Sequence, residues 1–154
     1  PCGAKRQILG VYHKDLLTTF ASVANKLSME HALIVHGFDG LDEITITDST
    51  YITELKNKEI IHYQISPKDF GLSLASISEI SAQSSDDSLL LVREAFAGEQ
   101  SAVQDMIALN AGAALYLAGT VSSITDGVEL SFTLMNNGMA ADKLAAYVRI
   151  SNNP

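Results

Sequence analysis

The chain has 154 residues, a net charge of −8 and an isoelectric point near 4.8, and 47% of its residues are hydrophobic. That hydrophobic share excludes a disordered chain, and the acidic balance without a basic stretch excludes the electrostatic footprint of a nucleic-acid binder. No apolar run reaches the ~18–20 residues that cross a bilayer, and the N-terminus lacks the basic-then-apolar layout of a signal peptide. A soluble, non-exported protein with no membrane partner is therefore expected, folded as one domain over 1–154.

In chain order, Arg6 to Tyr12 is a short β-prone run. Leu16, Phe20, Val23, Ala24 and Leu27 then recur at helical spacing, which predicts an amphipathic helix over 15–28 that starts at Asp15. Ala32 to His36 is a continuous apolar strand. A strand, a helix and a second apolar strand form a βαβ unit, hence a parallel pair with a right-handed crossover. A loop follows, His36-Gly37-Phe38-Asp39-Gly40-Leu41-Asp42-Glu43.

Three more strands are predicted at 44–47, 51–55 and 59–65, where Ile, Thr and Tyr dominate, with Asn57-Lys58 at a tight hairpin turn. Ser66-Pro67-Lys68-Asp69 opens a short helix with an N-cap, a proline and an acid in the favoured places. Residues 77–87 read as a connecting loop. Asp86 or Asp87 starts a helix that ends at Gly98, and Ser101 with Gln104 forms a capping-box pattern for an Ala/Leu-rich, buried helix ending at Gly119. Asp126 caps a helix to about Asn137, and 139–150 forms the last. The fold class is α/β: a mixed, mainly parallel sheet with an antiparallel edge, flanked by helices.

Chemistry-bearing patterns are few. The ten glycines never form G-x-G-x-x-G or a Walker loop, and no serine sits in a G-x-S-x-G elbow. Cys2 stands alone, so no internal disulfide forms, and no Cys/His cluster marks a zinc site. It reads as an incidental thiol. His36 ends a buried strand and is either a core histidine bonded to backbone or a site residue, the first being the expected role. His13, His31 and His62 read as surface positions. The acidic loop remains. Asp39, Asp42 and Glu43 lie past the C-terminal end of a parallel strand, where open α/β sheets place ligands. Gly37 and Gly40 give the backbone freedom to turn Asp42 and Glu43 toward one ligand. Their oxygens suit Mg²⁺, which takes one or two protein carboxylates plus substrate phosphate oxygens. The competing reading is a solvated acidic turn.

Val35-His36-Gly37-Phe38-Asp39-Gly40-Leu41-Asp42-Glu43 closely resembles the V-x-G-x-D-G-x-D-E block of anthranilate phosphoribosyltransferases. Gln7 to Tyr12 is similar to the family's Q-x-L-G-V-Y, Thr50 with Glu54-Leu55 to its T-x-x-x-E-L, and Pro67 to Leu72 to its P-x-D-F-G-L. The run from Asp105 through Leu109-Asn110-Ala111 and Ala114-Leu115-Tyr116 to Ala118-Gly119 follows a further block in order and spacing. The family's G-T-G-G-D loop and K-H-G-N segment have no counterpart here, and the chain begins Pro-Cys-Gly. The resemblance is thus to the C-terminal, α/β half alone, without the N-terminal helical domain. Departures stand at Asp48-Ser49-Thr50, at Ser84 to Leu89 and at Asn136 to Ala140.

This resemblance implies a nucleoside phosphorylase/phosphoribosyltransferase C-terminal-domain fold. It also implies a cytoplasmic, homodimeric parent enzyme of tryptophan biosynthesis. That parent transfers phosphoribosyl from phosphoribosyl pyrophosphate to anthranilate and releases pyrophosphate. Of the family's functional residues only the metal-binding pair carries over, onto Asp42 and Glu43, so the fragment alone is expected to be inactive. The rival is a non-catalytic, stand-alone or degenerate homologue that serves as an interaction module.

Overall fold

A computed structural model describes residues 3–152. Cys2 lies outside them. Four strands, β1 (Arg6–Gly10), β2 (His31–Gly37), β3 (Thr50–Lys56) and β4 (Glu59–Ile65), form one sheet in the order β1-β2-β3-β4. Among the described residues six α-helices accompany it, α1 (Leu16–Lys26), α2 (Ile77–Ile80), α3 (Ser85–Phe96), α4 (Ala102–Ala118), α5 (Ile124–Asn136) and α6 (Met139–Asn152), and a short 3₁₀ helix, Pro67–Phe70, follows Ser66 as expected. None of the helices among the described residues is long and apolar enough to cross a membrane.

β2 is central in the packing. All seven of its residues are buried, and the strand period sends Ala32 and Ile34 to one face, Leu33 and Val35 to the other. On the first face α1 contributes Leu17, Ala21 and Ala24 to a small core with Leu55. On the second, α4 and α5 bring Ala108, Leu109, Ala113, Leu117, Val128 and Met135 against Ile44, Ile46 and Ile52. The expected βαβ unit is present, with β1 and β2 paired in parallel from Arg6 opposite His31 to Gly10 opposite Val35.

The sheet is mixed, but it is not mainly parallel among the described residues. β2 with β3 and β3 with β4 both pair antiparallel. The reason is connectivity: no helix crosses over between β2 and β3, and Asn57-Lys58 close the β3–β4 hairpin with φ of 52° and 69°. Left-handed φ at both central residues is the primed turn geometry that fits the twist of a hairpin.

The expected strand at 44–47 does not form. Ile44, Thr45 and Ile46 are fully buried, so the apolar alternation is real, but their backbone groups bond elsewhere. The Asn110 side chain takes both polar groups of Ile44, the Thr50 hydroxyl accepts from the Thr45 N–H, and the Ile46 carbonyl accepts from the Ala75 N–H. Residues 77–87 are likewise not all loop, since α2 occupies Ile77–Ile80 and α3 begins at Ser85, capped by the Ser84 hydroxyl. Ser123, not Asp126, caps α5 by accepting from the Asp126 N–H. Ser101 caps α4 as expected, whereas the Gln104 side chain turns inward, donating to the Ala95 carbonyl and Asn136 and so tying α3 and α5 to α4.

Candidate metal-binding loop

Residues 38–49 form no helix or strand, yet the segment is pinned at several points. The Gly37 N–H donates to the Leu41 carbonyl at 2.8 Å, and the Phe38 N–H donates to the Ser49 carbonyl at 2.9 Å. Gly40 takes φ +94°, the left-handed conformation a bulkier residue resists. Phe38 stacks on Tyr51 with ring centroids 4.0 Å apart.

The three acids of this loop have different fates. Asp39 turns inward. Its Oδ1 accepts from the Leu41 N–H at 3.0 Å, and its Oδ2 accepts from the Thr45 hydroxyl at 2.5 Å and from the Thr47 hydroxyl. Burial pushes the Asp39 carboxyl up, but these hydrogen bonds outweigh it and hold the group below the usual aspartate value. Asp39 is thus a staple of the loop and not a free ligand. Asp42 and Glu43 are exposed.

Two devices that hold the pair in place are not evident from the loop sequence. A Cβ placed on Gly10 would lie 1.6 Å from the Asp42 carbonyl oxygen, so the end of β1 passes directly under the Asp42 backbone and only glycine fits there. Immediately after Glu43, Asn110 of α4 clamps Ile44: its Oδ1 accepts from the Ile44 N–H at 3.1 Å, and its Nδ2 donates to the Ile44 carbonyl at 2.8 Å. The same amide also donates to the Met106 carbonyl, one turn back on α4. Asn110 and Gly10 both fall inside the motif blocks, but their spatial roles appear only when β1, the loop and α4 are brought together.

No group of three or more His, Cys, Asp or Glu side chains converges as a metal cage among the described residues. What is present is two hard, solvent-facing carboxylates on a fixed backbone. That donor set fits a cation that keeps waters and shares substrate oxygens, and it does not fit a closed structural site.

The histidines resolve as well. His36 Nδ1 bonds the Val11 carbonyl at 2.8 Å in the core, which is the structural role expected for it. His13 and His62 are exposed as expected. His31 is not a surface residue. It is buried, 2.7 Å from Glu54 Oε1, with its ring edge-on to Tyr116. The burial follows from its place at the start of β2, covered by the end of α4, which a one-dimensional reading does not supply.

Residues 1–141 match the glycosyl transferase family, a/b domain. The chain belongs to that family. The anthranilate phosphoribosyltransferase of Vesicomyosocius okutanii subsp. Calyptogena okutanii is 41% identical over 98% of the chain. That of Halorhodospira halophila is 43% identical over 96% of it. The chain spans about 44% and 43% of the length of these two relatives. Among solved structures, the anthranilate phosphoribosyltransferase of Thermus thermophilus superimposes with a TM-score of 0.85 at 28% identity, covering 96% of this chain and 43% of that one.

Proposed function

We propose that this chain is the C-terminal α/β part of an anthranilate phosphoribosyltransferase, and that Asp42 and Glu43 are its metal-binding pair. The observation that carries the reading is the fixed loop at the C-terminal end of β2, which keeps two adjacent carboxylates exposed and unshared while it consumes Asp39 internally. The 41% and 43% identical relatives bear that enzyme's name, and the resemblance of residues 35–43 to the family's V-x-G-x-D-G-x-D-E block supports the choice of these two residues.

In this reading the parent enzyme moves a phosphoribosyl group from phosphoribosyl pyrophosphate to the anthranilate amine, and pyrophosphate leaves. Asp42 and Glu43 would hold a Mg²⁺ ion, which would supply charge neutralisation for the leaving pyrophosphate, and neither carboxylate moves a proton. The net charge of −8 makes such a bridge the more necessary, since bare carboxylates repel phosphate. Asp39, Asn110 and Gly10 fix the backbone so that the pair needs little reorganisation. The glycine-rich phosphate loop of the family has no counterpart in this chain, so the chain alone is expected to be inactive. The parent is a cytoplasmic homodimer on the same resemblance.

The test is steady-state kinetics of D42A/E43A, made in a full-length enzyme that carries this sequence, across a Mg²⁺ series. Losing a preorganised electrostatic contact of this type costs about 10²–10³ in turnover, with anthranilate binding much less affected. Turnover and Mg²⁺ dependence equal to wild type would make the pair a solvated turn.

A further inference from the structure

At the other end of the sheet lies an open cavity of about 680 Å³. It is separated from Asp42 and Glu43 by the seven-residue length of β2, roughly 20 Å. Its walls come from the start of β1 and β2, the end of α1, the β3–β4 turn and the segment after α4. Met29, Val121 and the Tyr116 ring give an apolar wall, and Arg6, Lys56 and Lys58 line the rest together with the Glu30 carboxylate and other polar side chains.

The three cations differ in how they are engaged. Arg6 is committed to the fold: it lies 3.6 Å from Glu30 and donates to the Leu117 and Ala118 carbonyls at the end of α4. Lys56 and Lys58 have no salt bridge among the described residues. Lys56 is held over the cavity by a 3.0 Å hydrogen bond to the Tyr116 hydroxyl, which in turn donates to buried Glu54. Lys58 carries an independent mark. It sits at φ +69°, at the second central position of the hairpin turn, where glycine is favoured and a long side chain is disfavoured. A disfavoured backbone that retains a charged side chain facing a cavity is a reason to look for a ligand.

We propose that this cavity binds a small phosphate monoester with a flat apolar body, its phosphate between Lys56, which lies 4.6 Å over the Tyr116 ring, and Lys58, and its body against Met29 and Val121. Lys58 has no ion-pair partner among the described residues, Lys56 feels the Glu54 charge behind Tyr116, and Glu30 is turned to Arg6, so the two ammonium groups still match a dianion better than a single carboxylate. Asn25, Ser28 and Asn57 supply neutral polar groups for the remaining oxygens. The site does not depend on the proposed enzyme function, because it shares no residue with the loop of Asp42 and Glu43.

The experiment uses this chain, isotopically labelled, titrated with phenyl phosphate and followed by amide NMR shifts. Saturable binding tighter than about 1 mM is expected, with shifts at Ser28, Asn57 and Val121 and not at residues 38–43. Phenol should leave those amides unmoved. K56Q/K58Q should weaken binding about tenfold, whereas D42A/E43A should leave it unchanged. K58G separates ligand binding from structure, because it relieves the turn and should hold or raise the melting temperature while it weakens binding. No saturation by about 10 mM phenyl phosphate, shifts confined to the acidic loop, or affinity unmoved in K56Q/K58Q would each overturn the proposal.

Discussion

The two ends of β2 handle charge in opposite ways. At the C-terminal end the loop spends one carboxylate, Asp39, on its own hydroxyl and amide groups and leaves Asp42 and Glu43 in water. At the N-terminal end a carboxylate is taken fully into the protein. Glu54 Oε1 accepts from the Tyr116 hydroxyl at 2.8 Å and lies 2.7 Å from His31 Nε2, and Oε2 accepts from the Tyr63 hydroxyl at 2.8 Å. Burial pushes Glu54 up, but Tyr116, Tyr63 and His31 together outweigh it and hold its pKa below the ordinary value. Tyr63 and Tyr116 are pushed up, first by burial and then by the Glu54 charge they donate to. The difference teaches where stability and where chemistry reside. A carboxylate with every oxygen satisfied is a structural element, and one left without protein partners is available to a ligand.

Substitutions can break that contrast, and the largest effect is expected at the buried end. Glu54→Ala removes the acceptor for three side chains at once, leaving His31, Tyr63 and Tyr116 without their buried partner. Breaking a buried pair in this way costs about 3–5 kcal/mol, which a urea titration of the isolated chain measures directly. A loss below about 1 kcal/mol would mean that water replaces Glu54 and that this end is not the anchor argued here.

Gly10→Ala comes next and tests the other end. The added methyl would overlap the Asp42 carbonyl at 1.6 Å, so β1 or the loop must move. Overpacking against backbone costs about 1–3 kcal/mol. If the loop is what yields, the parent enzyme should also lose turnover although no carboxylate was changed. Unaltered stability and turnover would show that the loop is not held by β1.

Asn110→Ala should cost about 1–2 kcal/mol, since it strands the N–H and carbonyl of Ile44, a residue that is buried, together with one helical carbonyl contact. Asn110→Asp sharpens the result. It keeps the acceptor for the Ile44 N–H but turns a carboxylate oxygen toward the Ile44 and Met106 carbonyls, so it should lose at least as much as Ala in the same titration. A loss for Asp smaller than that for Ala would place the weight of the clamp on the Ile44 N–H.

Much of this arrangement was legible in the sequence. The apolar runs named β2 and α1, the Asn57-Lys58 turn gave the hairpin, and Ser101 and Ser66 marked true helix starts. The glycine-bearing acidic loop was visible because its residue types were unusual in combination. Other features were not legible, for a shared physical reason. Residues 44–47 carry strand-like alternation, but their backbone partners are side chains of Asn110 and Thr50 and the backbone of Ala75, and such irregular partners leave no periodic trace. Asp39, Asp42 and Glu43 look alike in one dimension and are all exposed, and only the positions of Thr45 and Thr47 separate the hydrogen-bonded staple from the pair. His31 and Glu54 are 23 residues apart, and each alone is an ordinary polar residue on a strand.

The smallest expected effect concerns the staple itself. Asp39 has a pKa below its ordinary value in the folded chain, because the Thr45 and Thr47 hydroxyls and the Leu41 N–H stabilise the carboxylate more than burial opposes it. A depressed folded pKa means that the unfolded chain binds its proton first as acid is added. The contribution of Asp39 is therefore complete above the unfolded aspartate value, near about 3.9, and is lost as pH falls from there through the lower folded value. Glu54 contributes an acid-sensitive slope of the same sign, also with a lowered folded pKa, so the wild-type curve contains both. Asp39→Asn isolates one of them. Asn keeps an oxygen for one hydroxyl or amide but carries no charge. At neutral pH the loss should be about 0.5–1 kcal/mol, because the group is exposed and solvent screens it. As pH falls from the unfolded aspartate value through the lower folded value, the variant and wild type should converge, since the wild-type carboxyl is then gaining its proton. Stability measured by urea titration at neutral pH and at steps from about pH 5 to about pH 2.5 gives both numbers. A difference that stays constant down to the lowest pH would show that the Asp39 contacts act through shape alone, and that the charge on the staple does nothing for the loop that presents Asp42 and Glu43.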